Sequence, residues 1–323
     1  MTDFQATSTH VPLRAARLDR QLVMKIAIII AVLLTDVAWI AGTDFQFDMA
    51  SAAKAAVVTV VLVSVAWFYR VKRPMKRFEV LCTETAVLLV FSTSAAVFST
   101  LMTSTNLPTT DDQLMAFDAA MGFDWLSYVG FVNERPWLGN LSSIVYITTL
   151  TQVALTVVAL GLIGKIVRVQ RFVLAVMLGA LTCIVISAIL PAAGALGTIR
   201  PPVEFTMMNN PIVDLEYKQA FFDLRNGLGR FISLDEPRGL IAFPSYHATL
   251  SVLIILAFVG VRLWFWPVLV LNIAVILSTP VDGGHHLADI VGGIVVAGMV
   301  WLAAGRIQDR SRLSSSSPAV FER

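Results

Sequence analysis

Charge is what this sequence has least of. Asp, Glu, Lys and Arg make up 14% of its 323 residues and hydrophobic types 57%, too little polar surface to clothe a soluble fold of this length. The formal charge is only +2, which argues against a nucleic-acid partner and leaves the placement of charges as the informative quantity. Cysteine is nearly absent: Cys82 and Cys183 sit inside apolar runs with no CxxC spacing, and they read as small buried side chains rather than as a disulfide or a metal site. No small-residue cleavage site follows Arg14, Arg17, Arg20 and Lys25, so the first apolar run reads as a retained span. No internal repeat is present.

What is abundant is long apolar sequence. Stretches able to cross roughly 30 Å of hydrocarbon as helices lie near 24–42, 51–69, 80–101, 139–162, 171–191, 245–261, 264–281 and 287–305. An all-α, polytopic membrane bundle of about eight transmembrane helices is expected. The joining segments alternate in charge. Arg14, Arg17 and Arg20, then Arg70, Lys72, Arg73, Lys76 and Arg77, then Lys165, Arg168 and Arg171, then Arg262, then Arg306, Arg310 and Arg312 fall on one side. Asp44, Asp48, the stretch with Asp111, Asp112, Asp118 and Asp124, the long loop 192–244 and the short loop from Asp282 to His285 fall on the other. The positive-inside rule then makes this a multi-pass cell-membrane protein with both termini cytoplasmic and the histidine-bearing loops outside; Lys54 is a minor exception.

Segment 107–137 is too polar to span and too apolar for a free loop, and it reads as short helices at the outer interface. The tail with Ser314 to Ser317 reads as disordered. Asp36 and Glu84 fall within spans, where Thr35, Thr83 and Thr85 beside them favour hydrogen-bonded packing over catalysis or transport.

Three of the four histidines stand in two motifs at helix starts, Pro244-Ser245-Tyr246-His247 and His285-His286-Leu287-Ala288-Asp289. His285 and Asp289 are four apart, so on a helix both side chains share a face and the carboxylate can take the imidazole N–H. An imidazole so oriented offers its other nitrogen as a nucleophile toward a phosphate ester. His247 can donate a proton to the departing alkoxide, while Ser245 and nearby backbone N–H groups bind phosphate oxygens. Positive charge for those oxygens is on offer from Arg200, Lys218, Arg225, Arg230 and Arg238. His286 reads as a packing or capping neighbour of His285; a metal site built from His285, His286 and Asp289 is the alternative, without a further carboxylate or cysteine cluster to support it. Gly292, Gly293 and Gly298 read as permitting close helix packing.

Lys218-x6-Arg225, Pro244-Ser-x-His247 and Ser278-x6-His285-x3-Asp289, in this order, resemble the three signature motifs of the type 2 phosphatidic acid phosphatase superfamily over roughly positions 80–305. The resemblance implies a six-helix core with the motifs at the outer ends of its fourth and sixth helices, here the spans starting near 245 and 287. Residues 1–78 would then be a tail and two added helices, 79–306 the catalytic domain, and 307–323 the disordered cytoplasmic tail. It also implies His285 as the nucleophile of a phosphohistidine, Asp289 as its orienter, His247 as general acid, and Ser245, Lys218 and Arg225 as phosphate ligands, with no metal and no cofactor. The implied partners are the bilayer and a phosphorylated lipid substrate.

Two departures bear on the phosphate contacts: Asn226 follows Arg225 where a proline is usual, and Thr279 stands where the third motif places an arginine. Arg200-Pro201 is a second candidate for the first motif. The wording of 239–248 and 283–289 is closer to the branch resembling inositol phosphorylceramide synthases, which are phosphotransferases. Lipid phosphatase and headgroup transferase are thus both open. A transporter or lipid-binding protein on the same fold is a third reading, with Asp36 and Glu84 as its supporting features.

Overall fold

The computed structural model describes residues 20–235 and 239–316. In chain order the helices are α1 (Arg20–Ala41), α2 (Met49–Val71), α3 (Lys76–Thr103), the short pair α4 (Asp111–Ala120) and α5 (Trp125–Asn133), then α6 (Pro136–Leu162) and α7 (Ile166–Ile189). Three short helices follow, α8 (Gly194–Ile199), α9 (Val203–Met207) and α10 (Leu215–Arg225), and the chain closes with α11 (Tyr246–Phe258), α12 (Arg262–Asp282) and α13 (Leu287–Ser316). Two-residue strands β1 (Gln46–Phe47) and β2 (Phe231–Ile232) pair in parallel.

Seven helices, α1 to α3, α6, α7, α12 and α13, are long and apolar enough to span a membrane, and the chain is a helical, multi-pass membrane bundle. Their outward surfaces show why: Val57, Val58, Val60, Val61 and Val63 of α2 are all exposed, which lipid favours and water would penalise. The eighth expected span is α11, only 13 residues long. At ~1.5 Å per residue it is short for a ~30 Å hydrocarbon layer, yet packed among α6, α7, α12 and α13 it runs from the histidine end to the Arg168 end of the bundle. It ends early because the chain turns at Gly260, whose φ of +76° suits glycine.

α7 lies at the centre. Val169, Phe172, Val173, Leu174, Ala175 and Met177 are fully buried, and beyond Arg171 the helix is apolar on most of its surface, as suits a helix enclosed along much of its length. It packs against α3, α11 and α13, and Cys183 is buried in the same core. At one end of the bundle Arg168 donates to the carbonyls of Ala257 and Val259, and Arg171 to that of Trp301. At the other end lie the starts of α11 and α13.

Polar contacts inside the bundle settle where the buried acids of the spans sit. Lys25 and Glu84 form an ion pair of 2.6 Å, and Asp36 accepts from Ser94 at 2.8 Å; both join α1 to α3. The pair of α1 and α2 is also clasped at the histidine end. β1 pairs with β2, Lys54 meets Asp235 at 2.6 Å, Ser233 donates to Asp48 at 3.0 Å, and Arg230 pairs with Asp44. Lys54, the exception to the charge pattern, thus has its counter-ion in this loop.

Two expectations change. Loop 192–244 carries three short helices, α8 to α10, and α13 runs on to Ser316, past the start of the expected disordered tail at 307. Gln308 donates to the carbonyl of Val167 at 2.7 Å and anchors that extension. The expectations for Arg14, Arg17, Arg238 and 317–323 concern positions outside the described residues.

Candidate active site

Ser245 opens α11 as its N-cap, accepting the N–H of Ala248 at 3.4 Å, a local role for which Ser is preferred. Its own backbone N–H donates to the carbonyl of Asp289 at 2.9 Å. The crossing of α11 and α13 is close because Gly293 lies against the Ser245 carbonyl, where a Cβ would collide. The starts of the two motif-bearing helices are therefore fastened together by main chain.

His285 and Asp289 pair as the four-residue spacing requires. Nδ1 of His285 lies 3.1 Å from Asp289 Oδ2, and both residues are buried. Nε2 on the far edge of the ring is 3.4 Å from Ser245 Oγ. With the Nδ1 proton held by the carboxylate, Nε2 is the nitrogen with a free lone pair, and it faces the hydroxyl at the start of α11. His247 lies half-buried within the first turn of α11. Tyr146 of α6 stacks on it with ring centroids 4.2 Å apart, and its hydroxyl is 3.3 Å from Nδ1.

Among the described candidate cations, Lys218 is the one that comes to the His285 turn. Its aliphatic stem lies against Gly284 and its Nζ against Gly194, so that a Cβ at Gly194 would stand 3.3 Å from Nζ. Both glycines have positive φ, at +78° for Gly194 and +63° for Gly284, and the absence of side chains lets the lysine in. Burial lowers the Lys218 pKa to about 8, against the opposing pull of Asp289 and Asp111. Arg225 points elsewhere on α10. It donates to the carbonyls of Thr105, at 3.1 Å, and Leu107, tying α10 to the end of α3. Arg200 is exposed, with its guanidinium 4.6 Å above the Phe222 ring.

Thr279 is buried and its hydroxyl donates to the carbonyl of Ile276 at 2.7 Å. That carbonyl is the one left without its usual partner by Pro280 within α12, so the threonine serves the helix. Its own carbonyl accepts the N–H of Gly283 at 3.0 Å, closing the turn that leads to His285.

His286 is buried against α4: its Nδ1 is 3.1 Å from Asp118 Oδ2 and its Nε2 is 3.7 Å from Asp111 Oδ1, beyond hydrogen-bonding reach. Asp118 also accepts the N–H of Leu287 at 3.1 Å and of Ala288 at 2.9 Å, capping α13, while Asp111 accepts those of Ala193 and Gly194, each at 3.0 Å. These two carboxylates and Tyr146 are the members that sequence reasoning passed over. A signal was present for the acids, since 111 and 118 are two helical turns apart on one face of a short amphipathic segment. Among the described residues no group of three or more His, Cys, Asp or Glu is arranged as a metal-ligand set. His285, His286 and Asp289 are instead engaged with one another and with α4.

A family model described as the PAP2 superfamily matches residues 112–303, more than half of the chain. No curated protein and no solved structure matches it.

Proposed function

The chain belongs to the PAP2 superfamily, a family of phosphatase- and phosphotransferase-type membrane proteins, and from that premise we propose that it moves a phosphate group or phosphorylated headgroup between lipids, or from a lipid to water, by way of a phosphohistidine. The observation that carries this reading is the His285 ring: Nδ1 held by Asp289 at 3.1 Å and Nε2 directed at Ser245 Oγ at 3.4 Å.

In the first step Nε2 of His285 bonds to phosphorus, the bond from phosphorus to the leaving oxygen breaks, and His247 gives its proton to that oxygen. Ser245, the N–H groups opening α11 and the Lys218 ammonium hold the remaining oxygens. In the second step water or an alcohol attacks the phosphorus, His247 takes back a proton, and the nitrogen–phosphorus bond breaks. Hydrolysis and transfer differ only in the entering group. Headgroup transfer is the alternative outcome, supported by the wording of 239–248 and 283–289. Lys218 is the principal phosphate cation in this reading, and the contacts of Arg225 with the Thr105 and Leu107 carbonyls and of Arg200 with the Phe222 ring support a structural part for those two.

The basic residues Arg70, Lys72, Arg73, Arg168 and Arg171 sit at the end of the bundle opposite His285, which supports an outward-facing site with cytoplasmic termini. The deciding experiment supplies phosphatidate, and separately an inositol phospholipid or a polyprenyl pyrophosphate, to detergent-purified protein in EDTA, with His285→Ala as control. Free phosphate lost with His285 supports a metal-independent lipid phosphatase; a headgroup-exchanged lipid without free phosphate supports the transferase. Activity that survives His285→Ala sinks the mechanism.

A further inference from the structure

His286 follows the proposed nucleophile in sequence, yet its ring enters a cluster of carboxylates on α4, where it is 1% exposed. Nδ1 faces Asp118 Oδ2 at 3.1 Å and Nε2 faces Asp111 Oδ1 at 3.7 Å. A neutral imidazole has one N–H and would turn a lone pair on one of these carboxylates; only the imidazolium presents a proton to both. Nε2 has no hydrogen-bond partner at its present distance, so the ring leans toward Asp118 and spans the gap to Asp111 by charge.

The same carboxylates hold the main chain on both sides of the site. Asp118 caps the start of α13, and Asp111 binds the turn at Gly194 that admits Lys218. The N–H of His286 donates at 2.9 Å to Asp289 Oδ2, the oxygen that also holds His285. Residue 286 therefore touches the orienting carboxylate through its backbone and α4 through its ring.

The titratable groups facing the ring are Asp111 and Asp118 from α4, Asp289 from α13 and, beyond the Gly284 turn, Lys218 from α10; the Thr198 hydroxyl of α8 donates to the Gly194 carbonyl at 2.9 Å. Burial opposes protonation of His286, but Asp111, then Asp289 and Asp118, outweigh it and raise its pKa above that of an ordinary imidazole.

We propose that His286 is a positioning residue: as an imidazolium it ties Asp111 to Asp118 and so fixes the turn on which His285 and Asp289 stand, and loss of its proton loosens that turn. This rests on the reading of His285 as the attacking group.

The test is thermal unfolding of the purified full-length chain in detergent from about pH 6 to about pH 9, wild type against His286→Gln. A histidine whose pKa is raised by folding contributes stability that is complete at low pH and lost as pH rises through its folded value. The melting temperature of wild type is expected to stand above that of the variant at acid pH and to approach it at alkaline pH. Lys218 acts with the opposite sign, because a lysine whose pKa is lowered by burial gains stability as pH rises, so its titration does not imitate this convergence. A gap that is constant across the range, or no gap, overturns the proposal. Should His286→Gln fail to fold, Asp118→Asn replaces it. Removing that charge lowers the His286 pKa, so the alkaline decline must begin at lower pH than in wild type, and an unmoved decline overturns the proposal.

Phosphate release from phosphatidate in detergent micelles is followed over the same range. The kcat of Asp118→Asn is expected to fall at lower pH than that of wild type, with KM little changed. If the melting curves converge as stated while wild type turns over no phosphorylated lipid, the bridge stands and the phosphoryl-transfer reading falls.

Discussion

The backbone N–H of Ser245 donates to the carbonyl of Asp289 at 2.9 Å. This joins the helix start that carries His247 to the one that carries His285, so their relative placement is set by main chain and survives changes to the side chains around it. The tolerance for side chains at the crossing itself is correspondingly small.

Gly293→Ala puts a methyl group into the Ser245 carbonyl. It is expected to destabilise the protein by about 1–3 kcal/mol, as overpacking does, and to lower activity further by parting the two motifs. Gly298→Ala, where nothing lies within 4 Å, is the control and should leave both melting temperature and phosphate release unchanged.

Asp289→Asn removes the charge that holds His285 Nδ1 while keeping the side-chain volume. Phosphate release should fall by about 10²–10⁴ in kcat, the range for a displaced acid–base or nucleophilic partner, with a smaller change in KM. A loss of less than tenfold would count against Asp289 as the orienter.

Lys218 should make substrate binding pH-dependent. Burial lowers its pKa to about 8, so the ammonium is present below that pH and lost above it. KM for phosphatidate should rise as pH passes about 8 in wild type, and Lys218→Arg should carry low KM to higher pH because a guanidinium stays charged. Arg225→Ala should instead lower stability by about 1–3 kcal/mol, through loss of its bonds to the carbonyls of Thr105 and Leu107, with KM nearly unchanged.

Glu84→Ala leaves Lys25 buried among the spans. Breaking a buried ion pair on one side costs about 3–5 kcal/mol, so this variant should melt well below wild type, whereas Lys25→Met with Glu84→Met should recover most of the loss. Equal melting of the single and double variants would show that the pair contributes little.

Much of the fold was legible because lipid imposes a simple rule on sequence: long apolar runs must become helices, and the runs predicted near 24–42, 51–69 and 139–162 do. The run near 245–261 folds as the shorter α11, because apolarity alone does not tell a helix that faces lipid from one enclosed by its neighbours. The pairing of His285 with Asp289 was legible because it is local, four residues on one helix. The contacts of His286 with Asp111 and Asp118 were not, because those partners lie 168 residues away for Asp118 and meet it only once α4 packs on α13. Arg225 and Thr279 show the complementary difficulty. A residue type suited to phosphate serves just as well to satisfy a backbone carbonyl, and only the neighbours decide.

The pairing of β1 with β2 has a bearing on how far residues 79–306 can be separated from what precedes them. Together with the contacts of Lys25 with Glu84 and of Asp36 with Ser94, it fastens the two N-terminal helices to the remainder at several depths. A chain begun at residue 79 would take from the buried Glu84 the counter-ion that Lys25 supplies, a loss that matters among membrane spans, and would leave the edge of Phe231–Ile232 bare. The helices that look like an optional extension are thus a built-in counterpart for the rest, and any attempt to graft or shorten this chain has to carry them along.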